Sequence, residues 1–134
     1  MEFNLKKNIQ YWLESSKKDF KVAQGLFRLK HYPQCLFFCH LSIEKILKAM
    51  VVKTIKGYPP HIHNLVRLAE IANLKIDEKQ KRFLNRFFSF NIAGRYQEEK
   101  TQFYLRYKRR EFAEKHLEIA KNLLSWLKKE FPKK

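Results

Sequence analysis

The chain has 134 residues, 45% of them hydrophobic, with 29 Lys and Arg against 13 Asp and Glu for a formal charge of +16. That length suits one domain over residues 1–134, burying roughly two thirds of the surface of its unfolded chain. Three glycines, four prolines and no alternating polar pattern exclude a sheet-built fold and predict an all-helical one.

The opening MEFNLKKNIQYW is charged and aromatic, without the apolar run of a signal peptide. No later stretch reaches the ~20 apolar residues of a membrane span, so a cytoplasmic, membrane-free protein is expected. A charge of +16 exceeds what solubility requires. One reading is an acidic neighbour, either nucleic acid, a nucleotide or an acidic partner protein. The other is a lysine-rich surface set by base composition or a hot habitat.

In chain order, Ile9, Trp12, Leu13, Ser16, Phe20, Ala23 and Phe27 recur at three and four residues and predict a first helix from about Phe3 to Lys30. Lys6, Lys7, Glu14, Lys17, Lys18 and Lys21 form its solvated face. Gly25 is either an interior weakness or a point of close approach. His31-Tyr32-Pro33 breaks this helix, and Pro33 suits the first turn of the next, where a missing N–H costs nothing. So short a connection makes the two helices antiparallel.

The second helix, Pro33 to about Ile55, carries CLFFCHLSIEKILKAM and is the most informative element. His40, Glu44 and Lys48 align at i, i+4 and i+8, with Lys45 beside them, while Leu36, Phe37, Phe38, Leu41, Ile43, Ile46, Leu47, Met50 and Val51 cover most of the remaining surface. A helix apolar nearly all round is central, so its polar strip faces solvent, a partner or a site. Cys35 and Cys39, one turn apart, suit neither a disulfide nor zinc and are read as buried thiols.

Gly57-Tyr58-Pro59-Pro60 ends the second helix. Asn64 is a good N-cap for a short third helix carrying Leu65, Leu68, Ala69 and Ala72. Asp77 with Gln80 reads as a capping box for a fourth, with Phe83, Leu84, Phe87 and Phe88 as its stripe and a break at Asn91-Ile92-Ala93-Gly94. A last helix runs from about Thr101 or Phe103 to Lys129, its seam made by Phe112, His116, Ile119, Leu123, Leu127 and Phe131.

Trp12, Asp19-Phe20, Ala23, Tyr32, the run Glu44-Lys45-Ile46-Leu47-Lys48-Ala49, Pro59-Pro60-His61-Ile62-His63, Asn64-Leu65, Leu68 and Arg95-Tyr96 stand in an order and spacing that resembles the HEPN family of small helical domains. The resemblance covers nearly the whole chain, and the second helix is its most specific part. It implies an up-and-down four-helix bundle with one extra short helix, commonly dimeric and often encoded beside a minimal nucleotidyltransferase in toxin–antitoxin pairs. Some members are metal-independent ribonucleases, in which an Arg and a His four to six residues later meet their counterparts across a dimer. Others serve as binding or regulatory modules.

This chain has Arg110, five residues and then His116. Such a histidine could move the 2′-hydroxyl proton and the arginine hold the scissile phosphate. Leu117-Glu118 follows where family ribonucleases usually carry a tyrosine, and His116 sits on the apolar seam, so a packing or interface histidine is the competing reading. Arg95-Tyr96 matches the family's Arg-Tyr element and suits gripping phosphate and stacking a base. Alternatively, Arg95 pairs with Glu44 or another carboxylate. Glu44, Lys45 and Lys48 read either as a charged strip for a nucleotide or partner, or as an intrahelical pair worth about 0.2–0.5 kcal/mol.

His61 and His63 lack neighbouring carboxylates, so Asn64 as cap with His63 bonded to the loop backbone is favoured over a metal site. No metal or cofactor is expected. The readings carried forward are a dimeric, non-catalytic or weakly catalytic module working with a minimal nucleotidyltransferase on nucleotide or RNA, a ribonuclease toxin using Arg110 and His116, and a stand-alone nucleic-acid-binding protein.

Overall fold

Three of the helices begin where a side chain replaces a missing backbone partner. The computed structural model describes residues 2–95, 101–102 and 105–131. In it Asn4 accepts the Lys7 N–H at 2.9 Å and opens α1 (Leu5–Arg28) just inside the expected Phe3. Pro33 lies in the first turn of α2 (Tyr32–Ile55). Asn64 caps α3 (Leu65–Ile71) by accepting the Arg67 N–H at 3.1 Å. Asp77 and Gln80 form the reciprocal box before α4 (Glu78–Arg95): Asp77 Oδ1 accepts the Gln80 N–H at 2.7 Å, and Gln80 Oε1 accepts the Asp77 N–H at 2.9 Å. The last helix, α5, is Arg110–Glu130.

Two boundaries differ from the sequence reading. The Asn91–Gly94 stretch does not break α4, which continues to Arg95. Phe90 and Asn91 are buried there, and a glycine inside a helix costs only about 1 kcal/mol, less than the packing retains. Residues 101–102 and 105–106 are helical as expected, with Phe103 outside the described residues, but a bend over 107–109 separates them from the final helix. That helix starts at Arg110 because Arg109 is extended and the Tyr107 ring stacks on Phe112 with centroids 4.6 Å apart. That stacking turns the chain immediately before α5. Gly57 is also not the left-handed residue after α2: Lys56 is, with φ 55°.

Pairings along the helices give the topology. Asp19 meets Lys45, Ser16 meets Ser42 and Trp12 meets Lys48, so α1 and α2 run antiparallel. Arg86 meets His116 and Phe90 meets Phe112, so α4 and α5 are antiparallel as well. Lys53 donates to the Phe131 carbonyl at 2.9 Å, and Arg110 lies over Phe27, which sets α5 parallel to α2 and antiparallel to α1. The result is an up-and-down four-helix bundle with α3 as the extra short helix. Among the described residues there is no strand.

The centre of the bundle is α2, as its all-round apolar pattern requires. Leu36, Ile43, Leu47, Met50, Val51 and Val52 are fully buried, whereas Phe37 and Phe38 are half-buried at its edge. Each fully buried aliphatic side chain stabilises the fold by roughly 1.5–3 kcal/mol. Cys35 and Cys39 are free and buried beneath this layer, as expected. No helix of the described residues is long and apolar enough to cross a membrane.

Candidate functional site

The polar strip of α2 does not face outward. His40 is fully buried, and Glu44 and Lys48 are nearly so. Helical spacing places Lys48 one turn after Glu44, and its ammonium lies 3.0 Å from Glu44 Oε2. His40 Nε2, one turn before, is 3.1 Å from Oε1. The loop after α2 then supplies His63, whose Nδ1 stands 3.0 and 3.1 Å from the two carboxylate oxygens. His63 therefore bonds Glu44 and not the loop backbone: Asn64, as cap, holds the loop where the imidazole reaches α2. From the other side, Trp12 of α1 covers the Lys48 ammonium, 5.3 Å from the ring centroid.

Burial alone would raise the pKa of Glu44. Hydrogen bonds from His40 and His63, with the nearby charges of His40 and Lys48, overcome that and hold it at about 2. The carboxylate stays ionised, with the His63 Nδ1–H hydrogen-bonded to it and His40 Nε2 close by at 3.1 Å. Only His63 carries the cluster towards solvent, its side chain 42% exposed. Among the described residues no group of His, Cys, Asp or Glu is arranged to hold a metal ion.

Lys45 leaves this strip. Its ammonium lies 2.7 Å from Asp19 of α1 and ties the two helices together. Arg95 closes α4, and its side chain, like Tyr96, lies outside the described residues. The partners found for Glu44 are His40, His63 and Lys48.

Arg110 and His116 are not brought together. The Arg110 side chain is 64% exposed, lies over the Phe27 ring and has Nε 3.4 Å from Glu114, one turn along α5. His116 faces inward and is 1% exposed, stacked on Phe112 with ring centroids 4.0 Å apart and flanked by Phe87 and Phe90. Its Nδ1–H donates to the Phe112 carbonyl at 2.9 Å, which leaves the Nε2 lone pair to accept from Arg86 Nη1 at 3.2 Å. Both ring nitrogens are thereby engaged and the imidazole is neutral. Burial is the main cause that depresses its pKa, the Phe112 bond opposes it, and the charges of Arg86 and Lys115 add to the depression.

The arginine beside His116 is thus Arg86, which the sequence reading missed. A signal existed: Arg86 lies three residues after Phe83 and four before Phe90 on the same helix, so it borders the apolar stripe of α4. The Glu44–His63 and Lys45–Asp19 contacts were also missed as pairs, although all four residues belong to the motifs that carried the family resemblance.

In fold the chain is similar to a solved protein, TT1696 from Thermus thermophilus, with a TM-score of 0.72 and 21% identity over 90% of this chain and 96% of that one. Among curated proteins none matches the sequence. The family model described as HEPN domain matches residues 9–130, which takes in α2, the His63 loop and all of α5, and the chain belongs to the HEPN domain family.

Proposed function

We propose that this HEPN domain is a non-catalytic or weakly catalytic module that acts as a homodimer beside a minimal nucleotidyltransferase, in a toxin–antitoxin type pair, with nucleotide or RNA as its ligand class. The observation that carries this reading is the state of His116. A general base needs a free lone pair within reach of the substrate proton, and here that lone pair is turned inward onto Arg86 while Arg110 points away. The charge of +16 supports an anionic partner or ligand, and the Arg95-Tyr96 element is the phosphate-binding candidate, Lys45 being held by Asp19.

Co-expression with a nucleotidyltransferase encoded next to it, followed by gel filtration, tests the pairing. The two should comigrate as a complex containing two copies of this chain; separate elution would remove both the partner and the stoichiometry.

One observation favours the ribonuclease alternative. His116 is held neutral beside a guanidinium, the protonation state a base requires. Under that reading Arg110 and His116 act in trans across a dimer. RNA incubated with the protein and a chelator would then be cut, and His116→Ala and Arg110→Ala would each abolish the cutting. Intact RNA, or cutting that survives both substitutions, rejects it.

A further inference from the structure

A groove of about 600 Å³ lies between α1 and α5 with α2 as its floor, on a different face from the Glu44 cluster and from His116. Its wall and floor are Leu13, Phe20, Ile46, Leu124 and Phe131. The polar atoms beneath it are already committed. Ser16 Oγ donates to the Ser42 carbonyl at 2.7 Å, and Ser42 Oγ donates to the Ser16 carbonyl at 2.8 Å. An occupant therefore meets an apolar bed that asks for no hydrogen bonds. Charge is confined to the banks: Lys17 and Lys21 one turn apart on α1, and Lys128 on α5, against Glu14 alone.

We infer that this groove is a docking site for an amphipathic helix of a partner protein, with apolar anchors on one face and acidic residues flanking them. Three observations select that occupant. The groove is open along its length, and from Leu13 to Gln24 it spans about 16 Å of α1, three helical turns, which matches anchors at i, i+4 and i+7. Lysines stand on both banks, where the flanking residues of a docked helix would lie. A second copy of this chain is disfavoured, because a chain of +16 seated there would bring its own basic surface against Lys17, Lys21 and Lys128. The inference goes beyond the nucleotidyltransferase reading and stands whether or not that enzyme supplies the helix.

The test uses the full chain and a panel of fluorescein-labelled synthetic helical peptides about three to four turns long. Leu or Phe anchors are set at i, i+4 and i+7, with Glu flanks in one set and Lys flanks in a second; a third set scrambles the Glu peptides. Fluorescence anisotropy should show saturable binding of the Glu-flanked peptides and at least about tenfold weaker binding of the scrambled ones. The exposed-site variant Lys17→Glu/Lys21→Glu/Lys128→Glu should lose at least about tenfold in affinity for the Glu set and gain affinity for the Lys set. Phe20→Ala, with its fold checked by circular dichroism, should weaken both ordered sets.

Equal binding of ordered and scrambled acidic peptides would mean diffuse attraction to a basic surface and would overturn the proposal. Unchanged affinity in the charge-reversed variant, or no binding anywhere in the panel, would also overturn it. So would sedimentation showing a dimer that the charge-reversed variant alters, because the groove would then hold a second copy.

Discussion

The carboxylate of Glu44 is buried, yet its pKa of about 2 lies below the usual 4.5. The unfolded chain therefore takes up this proton first as acid is added. The stabilisation is fully present above about pH 4.5 and is lost as pH falls towards 2. A shift of that size corresponds to a contribution on the order of 3 kcal/mol. Glu44→Gln leaves Lys48 buried beside two imidazoles without its counter-charge, so it should cost about 3 kcal/mol at pH 7. Urea unfolding of both proteins at pH 7 and pH 3 checks this: the gap between them should narrow markedly at pH 3, and an equal gap at both would refute the assignment.

His116 titrates with the opposite chemistry but the same pH direction. Its folded pKa is depressed from 6.5, so the unfolded state binds this proton more readily, and the contribution present above about pH 6.5 declines as pH falls. An NMR titration should place the imidazole midpoint below 6.5. Arg86→Ala should move that midpoint upward, because it removes a neighbouring positive charge and admits water to the ring. A midpoint that Arg86→Ala leaves in place would mean that the Nε2 contact is not made in solution.

Helices in this chain are bounded by side-chain caps and left-handed lysines more than by glycine. Lys30 with φ 66°, Lys56 with φ 55° and Asn73 with φ 58° occupy the left-handed positions that follow α1, α2 and α3, and no glycine among the described residues has a positive φ. Gly25 lies inside α1, where an added Cβ would come no closer than 3.9 Å to the tip of Arg28. It is an interior weakness and not a close approach. Gly25→Ala should accordingly raise stability by about 0.5–1 kcal/mol, through reduced freedom of the unfolded chain. Thermal melts would read this as a higher midpoint, and a lower one would mean that α1 needs the glycine for some contact that the helix geometry does not reveal.

At the scale of the molecule the excess of positive charge is set against very few buried ions among the described residues. The buried charges are matched locally, Glu44 with Lys48, while most lysines remain exposed. Any polyanion bound by that surface should be held through counterion release. Anisotropy with a labelled single-stranded RNA should therefore give an affinity that falls steeply and linearly on a log–log plot between about 50 and 300 mM salt. Salt-insensitive binding would point to a stereospecific pocket instead, and absent binding would remove nucleic acid as a ligand class.

How much of this was readable beforehand depends on the range of the interaction. Helix existence, the central place of α2, the Asn64 cap and the Asp77–Gln80 box follow from residues within a few positions of one another, and all were visible as periodicity and capping chemistry. Helix ends near Arg95 and Arg110 were misjudged because distant aromatics decide them: Tyr107 turns back onto Phe112 and Phe90. The site divides in the same way. Sequence alone determined that His40, Glu44 and Lys48 share one face, since 3.6-residue periodicity is local. Whether that face met water, and which arginine would stand beside His116, were decided only when α1, the His63 loop and α4 closed around α2 and α5. A side chain's partner across a bundle is set by helix packing, which brings together residues as far apart in sequence as Trp12 and Lys48 or Arg86 and His116.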